Sequence, residues 1–361
     1  MRNYLFYITV LLSGCYLSDE VPPDQQIWDY ALPIHQGINQ VQLQAVNAFI
    51  IAGEYENIRS VMILKNDKLV FENHYANGER NQPRSIDRLT LIFTQMAVGL
   101  MLHDGLIDSI ETPIHHYLPE YNLTYEEYPL KMDITLEHLL THRSGIAWNE
   151  SVVSTESVNN DINKMKESLD VAGYVIKKPL EAVPGFRFNY NSGSGYLISK
   201  ICTEITGQSM EDYIKERVLN PLEIETYSWD QDRTGVTNGM DGLELSPFDL
   251  LKIGQLYLDE GLWKNQEIIP FDWFIESTSS QYFISNQFGY AYYWNKFNPE
   301  FQENYFGLPT NNAFYMTGNQ GDALYILPEK NLSVVIYAEN LFYGFYNPTF
   351  FLYADIVSTL N

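Results

Sequence analysis

Two pairs of strand-forming segments lie near opposite ends of this chain. Residues 61–64 and 69–72 are largely apolar runs on either side of a polar turn, and residues 323–327 and 332–337 repeat that pattern near the C-terminus. Short apolar runs around a polar turn are typical of antiparallel hairpins. The sequence therefore predicts a sheet to which both ends of the chain contribute.

A helical region separates the two hairpins. Apolar side chains recur with helical spacing between about residues 88 and 103, and Gly105 follows where the helix is expected to stop. These side chains are Leu89, Ile92, Phe93, Met96, Ala97 and Leu100. The order of elements predicts an α/β (α+β) fold, in which an antiparallel sheet formed by both termini is flanked by helices. We expect an α/β part at about 27–105 and 245–361, with a mostly helical subdomain inserted at about 106–244.

The chain is strongly acidic. Its 361 residues include 46 Asp and Glu but only 22 Lys and Arg, which gives a formal net charge of −24. Such an excess repels phosphate groups, and no basic stripe offsets it locally, so nucleic-acid binding is excluded. The two cysteines cannot build a disulfide framework, and no spacing of Cys or His indicates a zinc site. The sequence predicts no metal and no cofactor.

The first residues resemble a bacterial lipoprotein signal. Arg2 precedes an apolar run that is too short to span a bilayer, and the run ends in Leu-Ser-Gly before Cys15. We expect residues 1–14 to be a signal peptide, Cys15 to carry lipid, and residues 15–26 to be a tether. An ordinary secretory signal with an incidental cysteine is the alternative. The expected location is the bacterial cell envelope, with the protein lipid-anchored to the outer membrane and facing the periplasm or the surface.

Several tracts then carry a family resemblance. They are Ile-Thr-Leu-Glu-His-Leu-Leu-Thr-His-Arg-Ser-Gly-Ile at 134–146, Pro-Gly-Phe-Arg-Phe-Asn-Tyr-Asn-Ser at 184–192, and the stretch at 242–251. From about residue 27 onward, the chain resembles the β-lactamase-related serine hydrolases. That superfamily includes class C β-lactamases, D-alanyl-D-alanine carboxypeptidases, esterases and aminohexanoate-oligomer hydrolases. The resemblance implies a β-lactamase/transpeptidase-like fold.

The resemblance also implies a mechanism with three elements. A serine at the start of a buried helix attacks an acyl group, with a lysine one turn later in an S-x-x-K motif. A tyrosine moves the proton, and a strand bearing Lys-Thr-Gly or His-Thr-Gly supplies part of the oxyanion hole. Tyr190 matches the tyrosine, with Ser192 where many members have asparagine. Thr317 and Gly318 match the strand motif but follow a methionine, and the Asn319 amide matches the oxyanion donor.

The serine and lysine of this motif are missing. When the helix is aligned on Thr90, Thr94 and Gly99, Arg88 occupies the serine position and Leu91 occupies the lysine position. Arginine keeps its proton at physiological pH and cannot act as a base. The sequence therefore predicts a chain that does not perform serine acyl transfer.

Two other interpretations concern a nearby serine and the arginine itself. Ser85 with Arg88 would make an S-x-x-R motif, but that choice shifts the alignment by three residues and places Ser85 before the helix. An active hydrolase with a non-standard nucleophile is thus the alternative function. For Arg88, the first role is to bind a carboxylate from a peptide or cell-wall ligand, with Ser192, Thr317, Gly318 and Asn319 as further binding residues. The second is to pair with a nearby acid such as Asp87 and fill a disused pocket.

Overall fold

The computed structural model describes residues 27–150, 157–279, 281–307, 312–340 and 348–360. The predicted signal peptide, the lipidation at Cys15 and the tether fall outside the described residues. Within the described ranges, no helix is both long enough and apolar enough to cross a membrane.

The strands are short except for those at the centre of the large sheet. In chain order they are β1 Asp29–Tyr30, β2 Ile58–Lys65, β3 Lys68–His74, β4 Arg84–Ser85, β5 Ser228–Trp229, β6 Leu243–Leu245, β7 Leu262–Trp263, β8 Gln266–Glu267, β9 Tyr282–Phe283, β10 Phe288–Tyr290, β11 Asn295–Phe297, β12 Phe314–Thr317, β13 Ala323–Leu327 and β14 Leu332–Ala338.

The helices lie mainly in the middle of the chain. In chain order they are α1 Gln40–Ile51, α2 Thr90–His103, α3 Asn122–Glu127, α4 Leu136–Leu140, α5 Asp161–Glu167, α6 Val171–Lys177, α7 Gly193–Thr206, α8 Met210–Ile214, α9 Pro247–Leu258, α10 Phe271–Thr278, α11 Pro299–Phe306 and α12 Pro348–Ser358. A π-helical segment, Lys215–Leu219, continues α8. A single turn of 3-10 helix, Asp87–Leu89, precedes α2.

Both predicted hairpins are present and share one sheet. The order of strands in the large sheet is β1-β3-β2-β14-β13-β12-β11-β10-β9, so β2 and β14 pair across the two ends of the chain. The pairs β2–β3, β13–β14 and β14–β2 are antiparallel, as expected. The edge strand β1 differs from the prediction because it pairs with β3 in parallel.

Helices cover both faces of this sheet. On one face, α2 and α9 belong to a large core that includes Leu324 and Val335. On the other face, α1 and α12 belong to a second core with Val334 and Ile336, which alternate with the residues of the first face along β14. This alternation follows from the period of two along a strand.

Helix α2 begins and ends close to where its sequence predicts. All its residues from Thr90 to Met101 are buried, because the helix is surrounded by the sheet-side core and by the helical part of the chain. Gly99 allows close packing, since a Cβ there would lie 2.1 Å from the Trp273 ring. After the helix, Gly105 has φ +67°, a conformation that glycine adopts without strain.

Candidate functional site

The candidate site lies at the head of α2, where Arg88 reaches toward the helical part of the chain. Its guanidinium Nη2 lies 3.3 Å from Glu150 Oε1 and forms an ion pair with it. The guanidinium carbon also lies 4.4 Å from the centre of the Tyr190 ring, in a cation–π contact. The Arg88 side chain is 24% exposed, whereas the Glu150 side chain is completely buried. The charge on Arg88 is therefore compensated inside the protein.

Glu150 is held by more than Arg88. It accepts hydrogen bonds from the backbone N–H and the hydroxyl of Ser192, both at 2.8 Å, and from the indole N–H of Trp148. Burial raises the pKa of Glu150, while Arg88 and Ser192 act in the opposite direction by favouring the carboxylate. Ser192, predicted as a binding residue, thus serves to position Glu150.

Asp87 occupies the opposite wall of the site. Its carboxylate accepts a hydrogen bond from the backbone N–H of Asn319, and the Asn319 side-chain amide lies 3.4 Å from the other carboxylate oxygen. Gly318 permits this approach, since a Cβ there would lie 3.1 Å from the Asp87 Cβ. Burial raises the pKa of Asp87. The amide expected to serve as an oxyanion donor is therefore engaged by a side chain of the protein itself.

The expected pairing of Arg88 with Asp87 needs correction. The hydrogen-bonded acid is Glu150, and the Asp87 carboxylate turns to Asn319 instead. The reason lies in the backbone, because Asp87 has φ +49°, a left-handed conformation that is rare for residues other than glycine. This conformation sends the side chains of the two neighbouring residues to different walls.

Leu91 and Thr90 fill the first turn of α2 without offering a base. Leu91 is fully buried and packs against α7, since a Cβ at Gly195 would lie 2.6 Å from Leu91 Cδ2. The Thr90 hydroxyl accepts a hydrogen bond from Leu243 N at 3.2 Å, which takes it away from the site. Thr317 ends β12, where it pairs with Ala323.

Tyr190 lies in a cluster of buried aromatic rings. The His142 ring is 4.3 Å from that of Tyr190, 5.5 Å from Tyr290 and 5.1 Å from Tyr293. The three tyrosine hydroxyls and His142 Nε2 are buried without a hydrogen-bond partner among the described residues. Burial raises the pKa of Tyr190 far above neutrality. The phenol therefore stays protonated at neutral pH and is not a base in this state.

His142 is neutral in this cluster. Burial, with a smaller effect from the charge on Arg88, lowers the pKa of His142 to about 3. Its Nδ1 accepts a hydrogen bond from the backbone N–H of Asn191 at 3.3 Å, so the proton of the neutral ring is on Nε2. An Nε2–H group can donate a hydrogen bond, but it cannot take a proton from a hydroxyl.

Ser85 lies outside α2, in β4, as the sequence predicts. Its hydroxyl accepts a hydrogen bond from Asp87 N at 3.2 Å. Ser85 also lines a cavity of about 360 Å³, together with Arg59, Arg84 and Glu339. Both arginines pair with Glu339, so two guanidinium groups share one carboxylate in this cavity.

Glu150 and His142 are the two site residues that the sequence did not predict. Glu150 follows Trp148 by two positions, and an acid so close to a buried indole N–H is the signal that could have suggested it. His142 lies within the tract at 134–146 that carries the family resemblance. Tyr190, Arg88 and Ser192 do come together around Glu150. Gly318 and Asn319 meet Asp87 on the other wall.

Comparisons with known proteins agree on the family. Residues 59–346 match the protein family described as Beta-lactamase. The chain is 27% identical over 197 residues to protein flp of Staphylococcus aureus strain MRSA252, a match that covers 52% of this chain and 37% of flp. The chain thus spans little more than a third of that relative's length.

Solved structures show the same fold at lower identity. EstCE1, a hydrolase with promiscuous acyltransferase activity, has a TM-score of 0.74 at 14% identity, covering 90% of this chain and 100% of that one. A penicillin-binding protein homologue from Pyrococcus abyssi has a TM-score of 0.67 at 20% identity, covering 87% and 76%. The predicted fold is confirmed by these likenesses. Because the family match extends over most of its length, the chain belongs to the beta-lactamase family.

Proposed function

We propose that this chain is a non-catalytic member of the family, which serves at the cell envelope as a binding or scaffold module. The observation that carries this proposal is the ion pair between Arg88 and the buried Glu150, next to the buried Leu91. The Arg88 guanidinium, which is paired with Glu150, does not provide an attacking oxygen, and the isobutyl side chain of Leu91 does not provide a helper amine.

The surroundings of Arg88 support the same conclusion. Acyl transfer needs a base to accept the nucleophile's proton and preorganised donors for the oxyanion. Tyr190 is protonated, and the Asn319 amide is engaged by the Asp87 carboxylate. A negative charge beside an oxyanion donor opposes the charge that develops in the reaction. Both catalytic requirements are therefore unmet in this state.

Of the two roles considered for Arg88, we favour filling a disused pocket over binding the carboxylate of a ligand. A ligand carboxylate would have to displace Glu150, which is already fixed by Ser192 and Trp148. Isothermal titration with an acyl-D-Ala-D-Ala peptide is expected to give no binding heat. Heat that is lost in Arg88→Met would reverse this preference and support a receptor for carboxylate-bearing cell-wall ligands.

Covalent labelling tests the lack of catalysis directly. Full-length protein is incubated with a fluorophosphonate and with a fluorescent penicillin, and its intact mass is measured. No adduct is expected, whereas a class C β-lactamase treated in parallel is labelled. A single adduct that disappears in Ser85→Ala but persists in the matched variant Ser192→Ala would establish the alternative, an active hydrolase with a non-standard nucleophile.

A further inference from the structure

The outer face of α1 is apolar. Leu43, Val46 and Ile50 face the core. At about 100° per residue, a second set of residues lies on the opposite side of the helix. These residues are Val41, Ala45 and Ala48, and Phe49 borders them on one flank; all four are exposed, with Val41 at 76% and Phe49 at 52%. The other exposed side chains on the flanks of the helix, Gln42 and Gln44, are polar but uncharged. A surface helix of a soluble domain ordinarily carries charged and polar side chains at such positions.

The segment around α1 is also free of charge. Residues 30–53 contain no Asp, Glu, Lys or Arg, in a chain of which 19% is charged and whose net charge is −24. Ile34 and Ile51, in the same segment, are 54% and 69% exposed. An acidic surface is repelled by an anionic bilayer, whereas a neutral apolar surface is not. This segment is therefore suited to lie against lipid.

The position of α1 in the chain points to the same partner. Residues 16–26 separate the predicted lipid-bearing Cys15 from the described chain, and eleven extended residues reach at most about 40 Å. A lipid on Cys15 would thus hold Ile27, where the described chain begins, within that distance of the bilayer, and α1 begins 13 residues later in the same N-terminal segment. A helix of 12 residues is too short to span a membrane but long enough to lie in its interface.

We propose that the outer face of α1 rests on the lipid surface to which Cys15 is anchored. This inference rests on the envelope anchoring proposed above. Helix α1 packs on one face of the sheet, and α2 with Arg88 lies on the other. Contact through α1 therefore leaves the candidate site facing away from the bilayer. Because residues 30–53 carry no cation, the contact needs neither anionic lipid nor low salt.

Quenching by nitroxide-labelled lipid tests the contact. Full-length protein with Ala45→Cys is labelled with a bimane probe and reconstituted into phosphatidylcholine vesicles containing lipid with a nitroxide on its acyl chain. Cys202 is expected to remain unlabelled, because burial raises the pKa of its thiol to about 12. The matched control is Leu123→Cys, at an apolar position that is 82% exposed on α3. We expect several-fold stronger quenching at position 45 than at position 123, unchanged in molar salt.

A pair of charge variants provides the complementary measurement. Val41→Glu with Phe49→Glu is expected to abolish the quenching at position 45, since two carboxylates cannot enter the interface without a large desolvation cost. Leu123→Glu with Val158→Glu adds the same charge at two other exposed apolar positions and should leave the quenching intact. Equal loss in both pairs would contradict a contact specific to α1.

The mass of the N-terminal peptide shows whether Cys15 carries lipid, so that the anchoring proposal can be tested apart from the α1 contact. If Cys15 carries lipid and the two probes are quenched equally, the α1 contact is wrong and the anchor stands. If Cys15 carries no lipid, the labelling is repeated in a Cys15→Ser background, and added vesicles that still quench position 45 selectively would mean that the contact stands and the anchor is wrong. A blue shift of the position-45 probe that appears without lipid and grows with protein concentration would assign the face to a second copy and overturn the proposal.

Discussion

The two walls of the candidate site differ in what they retain of the family pattern. The wall at 184–190 keeps its Pro-Gly turn and Tyr190, whereas the head of α2 has Arg88 and Leu91 in place of the expected serine and lysine. Yet α2 keeps its packing residues, since the Thr94 hydroxyl donates to Gly239 O at 2.6 Å and Gly99 lies against Trp273. Residues that hold the fold and residues that carry the chemistry are therefore separable here.

The altered wall is also tied to its neighbours by an ion pair and by hydrogen bonds. Arg88 is matched by Glu150 from the helical part, and Asp87 is matched by Asn319 from the turn after β12. If these contacts close the site, variants that remove them should either gain esterase activity or lose free energy of unfolding.

Rebuilding the altered wall should give the largest effect. We expect the triple variant Asp87→Gly, Arg88→Ser, Leu91→Lys to hydrolyse activated esters slowly, because it restores a hydroxyl and an amine one turn apart and frees the Asn319 amide. Loss of one oxyanion donor costs about 10²- to 10³-fold in rate. The triple variant should therefore exceed the double variant that keeps Asp87 by roughly that factor. Release of p-nitrophenol measures both.

The double variant is the matched control in this comparison, since it differs only at Asp87. Circular dichroism verifies that both variants are folded. Equal rates in the two variants would show that the Asp87 carboxylate does not block the amide. Adding Tyr190→Phe to the triple variant tests whether the retained wall contributes to ester hydrolysis. An unchanged rate would mean that Tyr190 has no part in the rebuilt site.

The sequence predicts the frame of this site better than its contacts. The apolar periodicity of α2 and the alternation of polar turns with apolar runs are local patterns, and the structure reproduces them at 90–103 and in both hairpins. The partner of Arg88 is 62 residues away, so its identity depends on how the helical part packs against α2. The direction of Asp87 depends on a positive φ, which Asp adopts more often than most residues but which the local sequence does not fix at this position.

Separating Arg88 from Glu150 should have the next largest effect, on stability. Arg88→Met leaves a buried carboxylate without its cation, which typically costs about 3 kcal/mol. Arg88→Met combined with Glu150→Gln should recover most of that loss, because the carboxylate that Arg88 had paired is also removed. Urea unfolding at pH 7 measures the free energy of unfolding of each variant. The control is Lys264→Met, which breaks the exposed pair with Glu223 and should cost less than about 1 kcal/mol.

The loss in Arg88→Met should also depend on pH. The pKa of Glu150 is raised in the folded protein, so the folded state favours its protonated form. The stability from this group is fully present below its ordinary pKa of 4.5 and is lost as the pH rises through the raised value. Removing Arg88 raises that pKa further, because Arg88 favours the carboxylate. The cost of Arg88→Met should therefore shrink between pH 7 and pH 5, and a constant cost would contradict a buried, charged Glu150.

Asp87 alone should give the smallest effect, because two contributions oppose each other there. Asp87→Gly loses the hydrogen bonds to Asn319, each contributing about 1 kcal/mol, but relieves a left-handed residue, for which a side chain costs about 1–2 kcal/mol. We expect its free energy of unfolding to lie within about 1 kcal/mol of the parent. Asp87→Ala loses the same bonds and keeps the strain, so it should be about 1 kcal/mol less stable than Asp87→Gly. Urea unfolding of both variants isolates the backbone contribution. Equal stabilities would mean that φ +49° carries no cost at this position and that the carboxylate bond alone holds Asp87 against the turn after β12.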